Sequence, residues 1–270
     1  MTLLDKTKDQ PRGYKVYEGP EGLCFASDRL QWYDKDLKKI DPPEIIKGAL
    51  KLGFYNNSIT SLEGCPRVVS GIFDCSNTKI TSLEGCPRVA SIFDCSNTNI
   101  TSLEGGPEEV ENDFYCSNTK IASLEGFPKK VGGSFYCSNT NITSLEGFPK
   151  NIRGSFSCSY TKITSLEGCP EKIGGSFDCS HTRITSLEGC PREVRGNFYC
   201  SHTSITSLKG CPRVVSIFDC SNTNITSLEG CPKIVNDDFN CSDTNITSLK
   251  GAPAKIGDMN YSKFPVSISA

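Results

Sequence analysis

One short phrase recurs through most of the chain and limits the folds that it can adopt. Residues 52 to 246 contain it ten times, in the form F-x-C-S-N-T-x-I-T-S-L-E-G-C-P-x-x-V. Its isoleucine recurs every 21 residues, apart from two steps of 20 residues. A fixed short period is typical of a solenoid, in which each unit buries its apolar side only against its neighbours. We therefore expect function on a surface rather than in a pocket.

The order of residues within one unit predicts a short strand and an extended return. In Phe73–Cys75 (F-D-C) apolar and polar side chains alternate, which is the strand period with Phe and Cys inward. Glu84–Pro87 (E-G-C-P) then combines a turn with a proline that a helix interior does not accept. The sequence thus predicts a mainly-β solenoid with one parallel sheet, an extended or polyproline-like return side and little helix.

The ends of the repeat region are irregular. Tyr14–Tyr17 and Leu23–Phe25 flank an E-G-P-E-G segment, which predicts a hairpin that caps the first coil. We place this N-terminal cap at residues 1–29, the solenoid at residues 30–258, and a degenerate last repeat that serves as the C-terminal cap at residues 259–270. Such caps cover strand edges that would otherwise be open.

The repeat resembles that of leucine-rich repeat proteins. Leu52–Ile59 (LGFYNNSI) matches the family core L-x-L-x-x-N-x-L, and later units place Phe, Cys, Thr and Ile at its four defining positions. The 20-residue units, such as the one that contains Pro87–Cys95, are similar to the short repeats of bacterial effector proteins. The phrases S-L-E-G-x-P and F-x-C-S-N also resemble uncharacterised repeat proteins of phages and large viruses. The resemblance implies a curved solenoid with a binding role, and it carries over no catalytic residue.

One position departs from the family pattern. The ladder asparagine is Asn57 in the first clear unit, and threonine replaces it afterwards at Thr78, Thr98, Thr119, Thr140, Thr161, Thr182, Thr203, Thr223 and Thr244. A buried Thr hydroxyl can donate to the carbonyl of a neighbouring turn. We expect the hydrogen-bond ladder between turns to be kept.

Nearly all of the sixteen cysteines lie in two columns of the repeat. The first contains Cys75, Cys95, Cys116, Cys137, Cys158, Cys179, Cys200, Cys220 and Cys241, and the second contains Cys65, Cys86, Cys169, Cys190, Cys211 and Cys231. Gly, Phe and Ala replace Cys in other units of the second column, which suits a small apolar filler. We expect reduced structural thiols, with some disulfides or a bound metal as alternatives. The absence of any C-x-x-C spacing disfavours zinc.

Charge and hydropathy narrow the range of partners. The chain has 29 Lys and Arg against 31 Asp and Glu, so it has no basic field for a nucleic acid. At the N-terminus, charged residues follow directly after two leucines, so there is no apolar core of signal-peptide length. No later apolar run approaches the length of a membrane span. We therefore expect a protein of the cytoplasm of the producing cell, without nucleic-acid or membrane partners.

The outward positions that vary over the nearly uniform interior are the candidates for binding. The outward strand column includes Asp74, Asp94, Tyr115, Tyr136, Asp178, Tyr199 and Asp219, and the column two residues earlier includes Ile72, Ile92 and Ile217. Tyr with nearby Asp and Ile is typical of a binding surface, although Tyr and Ile are also ordinary strand formers. We predict that these ten residues bind protein.

The two histidines, His181 and His202, occupy one repeat position in consecutive units. Strand spacing places their backbones about 5 Å apart, so they could share a metal if Asp178 or another group added a ligand. Drift at a surface Asn position explains them equally well. No nucleophile motif and no phosphate-binding glycine loop occurs, so we expect neither catalysis nor a cofactor.

These observations favour a non-enzymatic leucine-rich repeat scaffold, of viral or phage origin by resemblance, that binds a host protein or a virion component. The alternative is a structural or decoration protein of the virion that docks through residues 1–50. Ice or glycan binding by the Thr and Ser columns is a third interpretation. It is disfavoured because those columns are expected to be partly buried or in turns.

Overall fold

The computed structural model describes residues 14–19, 22–27, 30–34, 36, 38–52, 59–212 and 216–257. The protein is a mainly-β solenoid of about nine turns, and its described residues contain no helix, so the predicted fold class is confirmed. It divides into two compact units. The first unit is Met1–Lys120 with Gly126–Lys130, and the second is Ile121–Glu125 with Val131–Ala270. The predicted C-terminal cap at residues 259–270 and Asn57 lie outside the described residues.

The main sheet is built from two-residue strands at the Phe of each repeat. In the first unit these strands are Leu50–Lys51, Phe73–Asp74, Phe93–Asp94 and Phe114–Tyr115. In the second unit they are Phe135–Tyr136, Phe156–Ser157, Phe177–Asp178, Phe198–Tyr199, Phe218–Asp219 and Phe239–Asn240. Within each unit the strands pair in parallel and in register, so that Phe177, for example, lies between Phe156 and Phe198. The repeat has nearly constant length, and this register follows from it.

The return side contains a second set of two-residue strands, which the sequence did not predict. In the first unit they are Ile45–Ile46, Val68–Val69, Arg88–Val89 and Glu109–Val110. In the second unit they are Asn151–Ile152, Lys172–Ile173, Glu193–Val194, Ile234–Val235 and Lys255–Ile256, and Lys130–Val131 spans the division between the units. They too pair in parallel, as between Ile173 and Val194. The expected extended return therefore forms short sheets of its own, because a β-branched residue recurs there in most turns.

Identical apolar side chains stack from turn to turn to form the core. Phe177 and Phe198 are fully buried, with ring centroids 5.5 Å apart and planes within 6°. Ile184 and Leu187, from the I-T-S-L segment of the same turn, are also fully buried. A ladder of this kind lets each turn bury apolar area only against its neighbours, which is the energetic basis of a solenoid.

The S-L-E-G-C segment forms a type II turn. In one example the Cys169 N–H donates to the Leu166 carbonyl at 3.0 Å, and the Ser165 hydroxyl accepts the Glu167 N–H at 3.0 Å. Gly168 occupies the position that requires positive φ, at 84°. A Cβ at Gly168 would also lie 2.7 Å from the Glu146 backbone nitrogen of the preceding turn. The predicted turn is therefore present. Its glycine is required because of the positive φ and because the preceding turn leaves no room for a Cβ.

The threonine column closes its own turn, so the predicted ladder between turns is wrong. The Thr182 hydroxyl donates to the Cys179 carbonyl of the same turn at 2.7 Å. The same bond to the Cys three residues earlier recurs at Thr78, Thr98, Thr119, Thr140, Thr161, Thr203, Thr223 and Thr244. A hydroxyl reaches less far than an amide, so the backbone links the turns here, as where the His181 N–H donates to the Ser201 carbonyl at 3.0 Å.

An antiparallel sheet precedes the repeats. Tyr14–Gly19 pairs with Gly22–Ser27, which pairs with Trp32–Tyr33, and this strand pairs with Lys39–Ile40. The hairpin expected at this end is thus part of a four-stranded sheet. Trp32 is buried, and its indole N–H donates to the Gly64 carbonyl at 2.7 Å, which ties this sheet to the first repeats.

Candidate functional site

The ten predicted binding residues fall into one group in each unit, on the side of the main sheet opposite the Phe column. The first unit carries Ile72, Asp74, Ile92, Asp94 and Tyr115, and the second carries Tyr136, Asp178, Tyr199, Ile217 and Asp219. Asp74 is 7% exposed, and the other nine are half-buried. The structure therefore places five candidates on this side of the sheet in each unit. All of them are less exposed than the alternation of apolar and polar residues suggested.

The aspartates of the strand column stabilise the corner that follows each strand. Asp178 Oδ1 accepts hydrogen bonds from the Ser180 N–H at 3.0 Å and from its hydroxyl at 2.6 Å. The bond from the N–H of the Ser two residues on recurs at Asp74, Asp94, Asp219 and, through its amide oxygen, Asn240. These are Asx turns, a local use of Asp that competes with ligand binding. The D-x-S spacing in the sequence is the signal that could have predicted this role.

The first-unit face carries two carboxylates side by side. Asp74 and Asp94 are register partners, and Lys51 is the partner of Asp74 on its other side. Burial raises the pKa of Asp94, hydrogen bonds from Ser96 oppose the shift, and the Asp74 charge adds to it. This face is therefore acidic and partly desolvated.

Two tyrosines are held by polar side chains two residues earlier in the chain. The Tyr115 hydroxyl donates to Asp113 Oδ2 at 3.1 Å. Asn197 Nδ2 donates to the Tyr199 hydroxyl at 2.7 Å, and Asn197 Oδ1 accepts the Ile217 N–H at 3.2 Å. These hydrogen bonds hold both hydroxyl groups in place and order the two rings.

A hydroxyl network on the second-unit face was missed by the sequence reasoning. Ser157 Oγ lies 2.7 Å from Ser138 Oγ and 3.2 Å from Ser159 Oγ, and it donates to Asp178 Oδ2 at 3.3 Å. Ser157 and Ser159 are buried. The change from Asp or Tyr to Ser at position 157 was the only sign of it in the sequence. The network joins the strand column to the corner residues and orders this face.

The corner after each strand has left-handed backbone geometry. Nine residues at one repeat position have φ between 52° and 58°: Asn77, Asn97, Asn118, Asn139, Tyr160, His181, His202, Asn222 and Asp243. Asn and Asp tolerate this conformation, and a bulky residue there is an outlier. The prevalence of Asn in the repeat therefore has a backbone cause, and Tyr160 is the exception that needs a reason.

The three unusual residues of this corner form a stack of rings. The centroids of Tyr160 and His181 are 4.1 Å apart with planes at 10°, and those of His181 and His202 are 4.2 Å apart at 12°. Tyr160 is 56% exposed. Burial and the neighbouring His202 lower the pKa of His181, and the Asp178 charge opposes the shift.

This stacking disagrees with the suggestion of a metal shared by the two histidines. A metal ion lies in the plane of each imidazole ring that ligates it. The rings of His181 and His202 are nearly parallel and 4.2 Å apart, so no single point near their nitrogens lies in both planes. Asp178, the suggested third ligand, is engaged by Ser180. Across the described parts of the chain, no group of three or more His, Cys, Asp or Glu is arranged to hold a metal ion.

The cysteine columns are packing elements. The nine residues of the first column are buried, the six of the second are half-buried, and all fifteen of these cysteines are free. Burial raises the pKa of the Cys65 thiol to about 12 and that of Cys179 well above its usual value. Cys179 Sγ also donates weakly to the Tyr199 carbonyl at 3.5 Å. Neutral, buried thiols of this kind are poor nucleophiles and poor metal ligands.

The expected burial of the Thr and Ser columns holds only in part. The second Thr column is exposed, at Thr81, Thr101, Thr143, Thr164, Thr185, Thr206, Thr226 and Thr247. The outward column two residues earlier contains the exposed cations Lys79, Lys120, Lys162 and Arg183. The exposed Thr column is therefore bordered by charges.

No known protein family matches the sequence, and no curated protein matches it either. Within the described ranges, no helix is long and apolar enough to cross a membrane. The structure establishes the chain as a β-solenoid with repeats of about 21 residues.

Proposed function

We propose that the protein is a non-enzymatic scaffold that binds another protein through the main-sheet face of its second unit. The observation that carries this proposal is the ordered cluster around Tyr199, whose hydroxyl is held by Asn197 while Asn197 also accepts the Ile217 N–H. Tyr199 and Ile217 are half-buried, so a partner can complete their burial.

The composition of this face supports a protein partner. Aromatic anchors supported by rigid surroundings dominate the free energy of many protein interfaces. Asp178 and Asp219 flank Tyr199 in the sheet register and make the rim acidic. The partner is therefore expected to offer an apolar group for Tyr199 and Ile217 and hydrogen-bond donors or cations around it.

The test compares variants for binding to a purified partner, identified by pull-down from host lysate or from particles. Tyr136→Ser combined with Tyr199→Ser is expected to weaken binding by at least about 2 kcal/mol, measured by calorimetry. Tyr160→Asn, which removes an exposed tyrosine of the same unit that lies outside the ten predicted residues, is the matched control and is expected to bind as the parent does. Unchanged affinity of the double variant, with an unchanged far-ultraviolet circular dichroism spectrum, would reject this face as the binding surface.

The relation to leucine-rich repeat proteins is part of the same proposal. A period of about 21 residues and parallel strands in register support it. The Thr column, which bonds within its own turn, is a departure from the asparagine ladder of that family. The proposed absence of enzymatic activity is supported by the thiols with raised pKa and by the stacked imidazoles.

The alternative is a virion structural or decoration protein, and the four-stranded antiparallel sheet before the repeats favours it as a separate docking element. A phage or large-virus source, with the protein in the host cytoplasm and in the virion, belongs to this alternative. Quantitative mass spectrometry of purified particles tests it. Stoichiometric amounts in particles would support it, and presence only in the infected-cell extract would favour the interaction scaffold.

A further inference from the structure

We propose a second binding site, for a carboxylate-rich segment of a protein, at the corner that carries the ring stack. The site consists of Tyr160, Lys162, His181, Arg183 and His202, and is called the basic corner below. Its residues follow the main-sheet strands Phe156–Ser157, Phe177–Asp178 and Phe198–Tyr199 along the chain. It does not include the sheet-face residues of the proposed function. It therefore stands independently of that function.

Tyr160 has a strained backbone conformation. Its φ of 57° is one that the repeat otherwise gives to Asn, Asp or His. A residue held in this region costs about 1–3 kcal/mol, and such outliers cluster at ligand sites. Tyr160 is nevertheless 56% exposed, so burial of its ring in the core does not explain its presence.

The ring stack presents its polar atoms at the edges of the rings. Both faces of the His181 ring are covered, by Tyr160 on one side and by His202 on the other. Ring edges remain for contact with a ligand, and they carry the Tyr hydroxyl and the imidazole nitrogens. The stack therefore offers a row of polar ring edges that can donate hydrogen bonds, from one tyrosine and two histidines, rather than a flat platform.

Two cations follow residues of the stack along the chain. Lys162 and Arg183 are exposed, and they follow Tyr160 and His181 by two residues. Neither Lys162 nor Arg183 belongs to an ion pair with another described residue. Two exposed cations without an ion-pair partner, each two residues along the chain from a ring of the stack, favour an anionic ligand.

The surroundings favour carboxylates of a peptide over a nucleic acid. Asp178 and Asp219 lie on the adjoining sheet face, and a continuous phosphate backbone that crossed that face would be repelled. A short acidic segment can contact the corner alone. The chain's net charge of −2 likewise provides no wider field for a polyanion.

The experiment measures fluorescence polarisation of a labelled hexaglutamate peptide, with a hexaglutamine peptide of the same length for comparison. The cation variant combines Lys162→Asn with Arg183→Asn, and the ring variant combines Tyr160→Asn, His181→Asn and His202→Asn. All five changes introduce the residue that other turns carry at these positions, as at Asn99 and Asn139, so folding is expected to persist. Each variant is expected to bind hexaglutamate at least about tenfold more weakly than the parent does.

The matched control is Lys79→Asn with Lys120→Asn, which removes equal charge from the same column beside Asn77 and Asn118. It is expected to change affinity by less than about twofold. An equal loss in this control would show non-specific attraction and overturn the proposal. So would the absence of hexaglutamate binding to the parent, equal binding of hexaglutamine, or full affinity of the ring variant. The Tyr136→Ser, Tyr199→Ser protein is expected to bind hexaglutamate normally, so the two sites can fail separately.

Discussion

At the scale of residues, a run of five side chains explains how the turn that contains Phe177 leaves its strand. Asp178 accepts hydrogen bonds from Ser180, His181 takes up the left-handed backbone, and Thr182 donates back to the Cys179 carbonyl. Every one of these interactions is local, within four residues, and the His181 N–H adds a link to the Ser201 carbonyl of the next turn. The D-C-S-N-T phrase is thus recurrent because it encodes a complete change of direction.

Thr182→Val is expected to destabilise the protein by about 1 kcal/mol, because the buried Cys179 carbonyl loses its donor while the side-chain shape is kept. Urea unfolding followed by circular dichroism measures this. Thr182→Ser, which retains the hydroxyl, is the control. If the Val variant were as stable as the parent, the hydroxyl would make no net contribution to the corner.

The lowered pKa of His181 predicts a dependence of stability on pH. Because its folded-state pKa lies below its ordinary value of 6.5, the unfolded chain binds protons more readily. Its contribution is therefore complete above pH 6.5 and is lost as pH falls through the folded-state pKa. Urea unfolding of the parent and of His181→Asn, at neutral pH and at about pH 5, tests this. The parent is expected to lose more stability than the variant, and equal losses would contradict the assignment to His181.

At the scale of elements, the type II turns set how closely successive turns approach one another. Gly168 has a φ of 84°, and a Cβ there would lie 2.7 Å from the Glu146 backbone nitrogen. Gly147, in the same repeat position, has a φ of 95° and nothing within 4 Å of such a Cβ. The same glycine thus meets different surroundings in consecutive turns.

These two glycines separate backbone strain from steric contact. Gly147→Ala is expected to cost about 1 kcal/mol, the penalty of positive φ for a side chain. Gly168→Ala is expected to cost more than twice as much, because backbone atoms of the preceding turn must also move. The free energies of unfolding in urea measure both. Equal destabilisation would mean that the neighbouring turn yields without cost.

At the scale of the molecule, each unit is stabilised by apolar burial that is summed over nearly identical layers of side chains. Phe156 and Phe177 stack at 5.5 Å, as do Phe177 and Phe198, and each layer adds the same kind of apolar burial. The thiols belong to these layers, where burial keeps them neutral. Their accessibility therefore reports on the integrity of the whole solenoid.

Native protein is expected to react slowly with a thiol reagent, because the thiols of the first column are fully buried and those of the second have raised pKa values. Protein denatured without reductant is expected to release nearly all of its sixteen thiols. A count well below sixteen after denaturation would reveal disulfides and contradict the assignment as packing residues.

The sequence by itself determined the solenoid, the inward Phe and Cys columns and the Glu-Gly turn, because these depend on a local pattern and on a repeat of nearly constant length. It also indicated which outward positions vary. Only the tertiary structure revealed the return strands, the half-burial of Tyr199, the Thr bond within its own turn and the stack of Tyr160, His181 and His202. Those features depend on backbone dihedrals and on what the adjacent turns place nearby, and a one-dimensional pattern does not contain either.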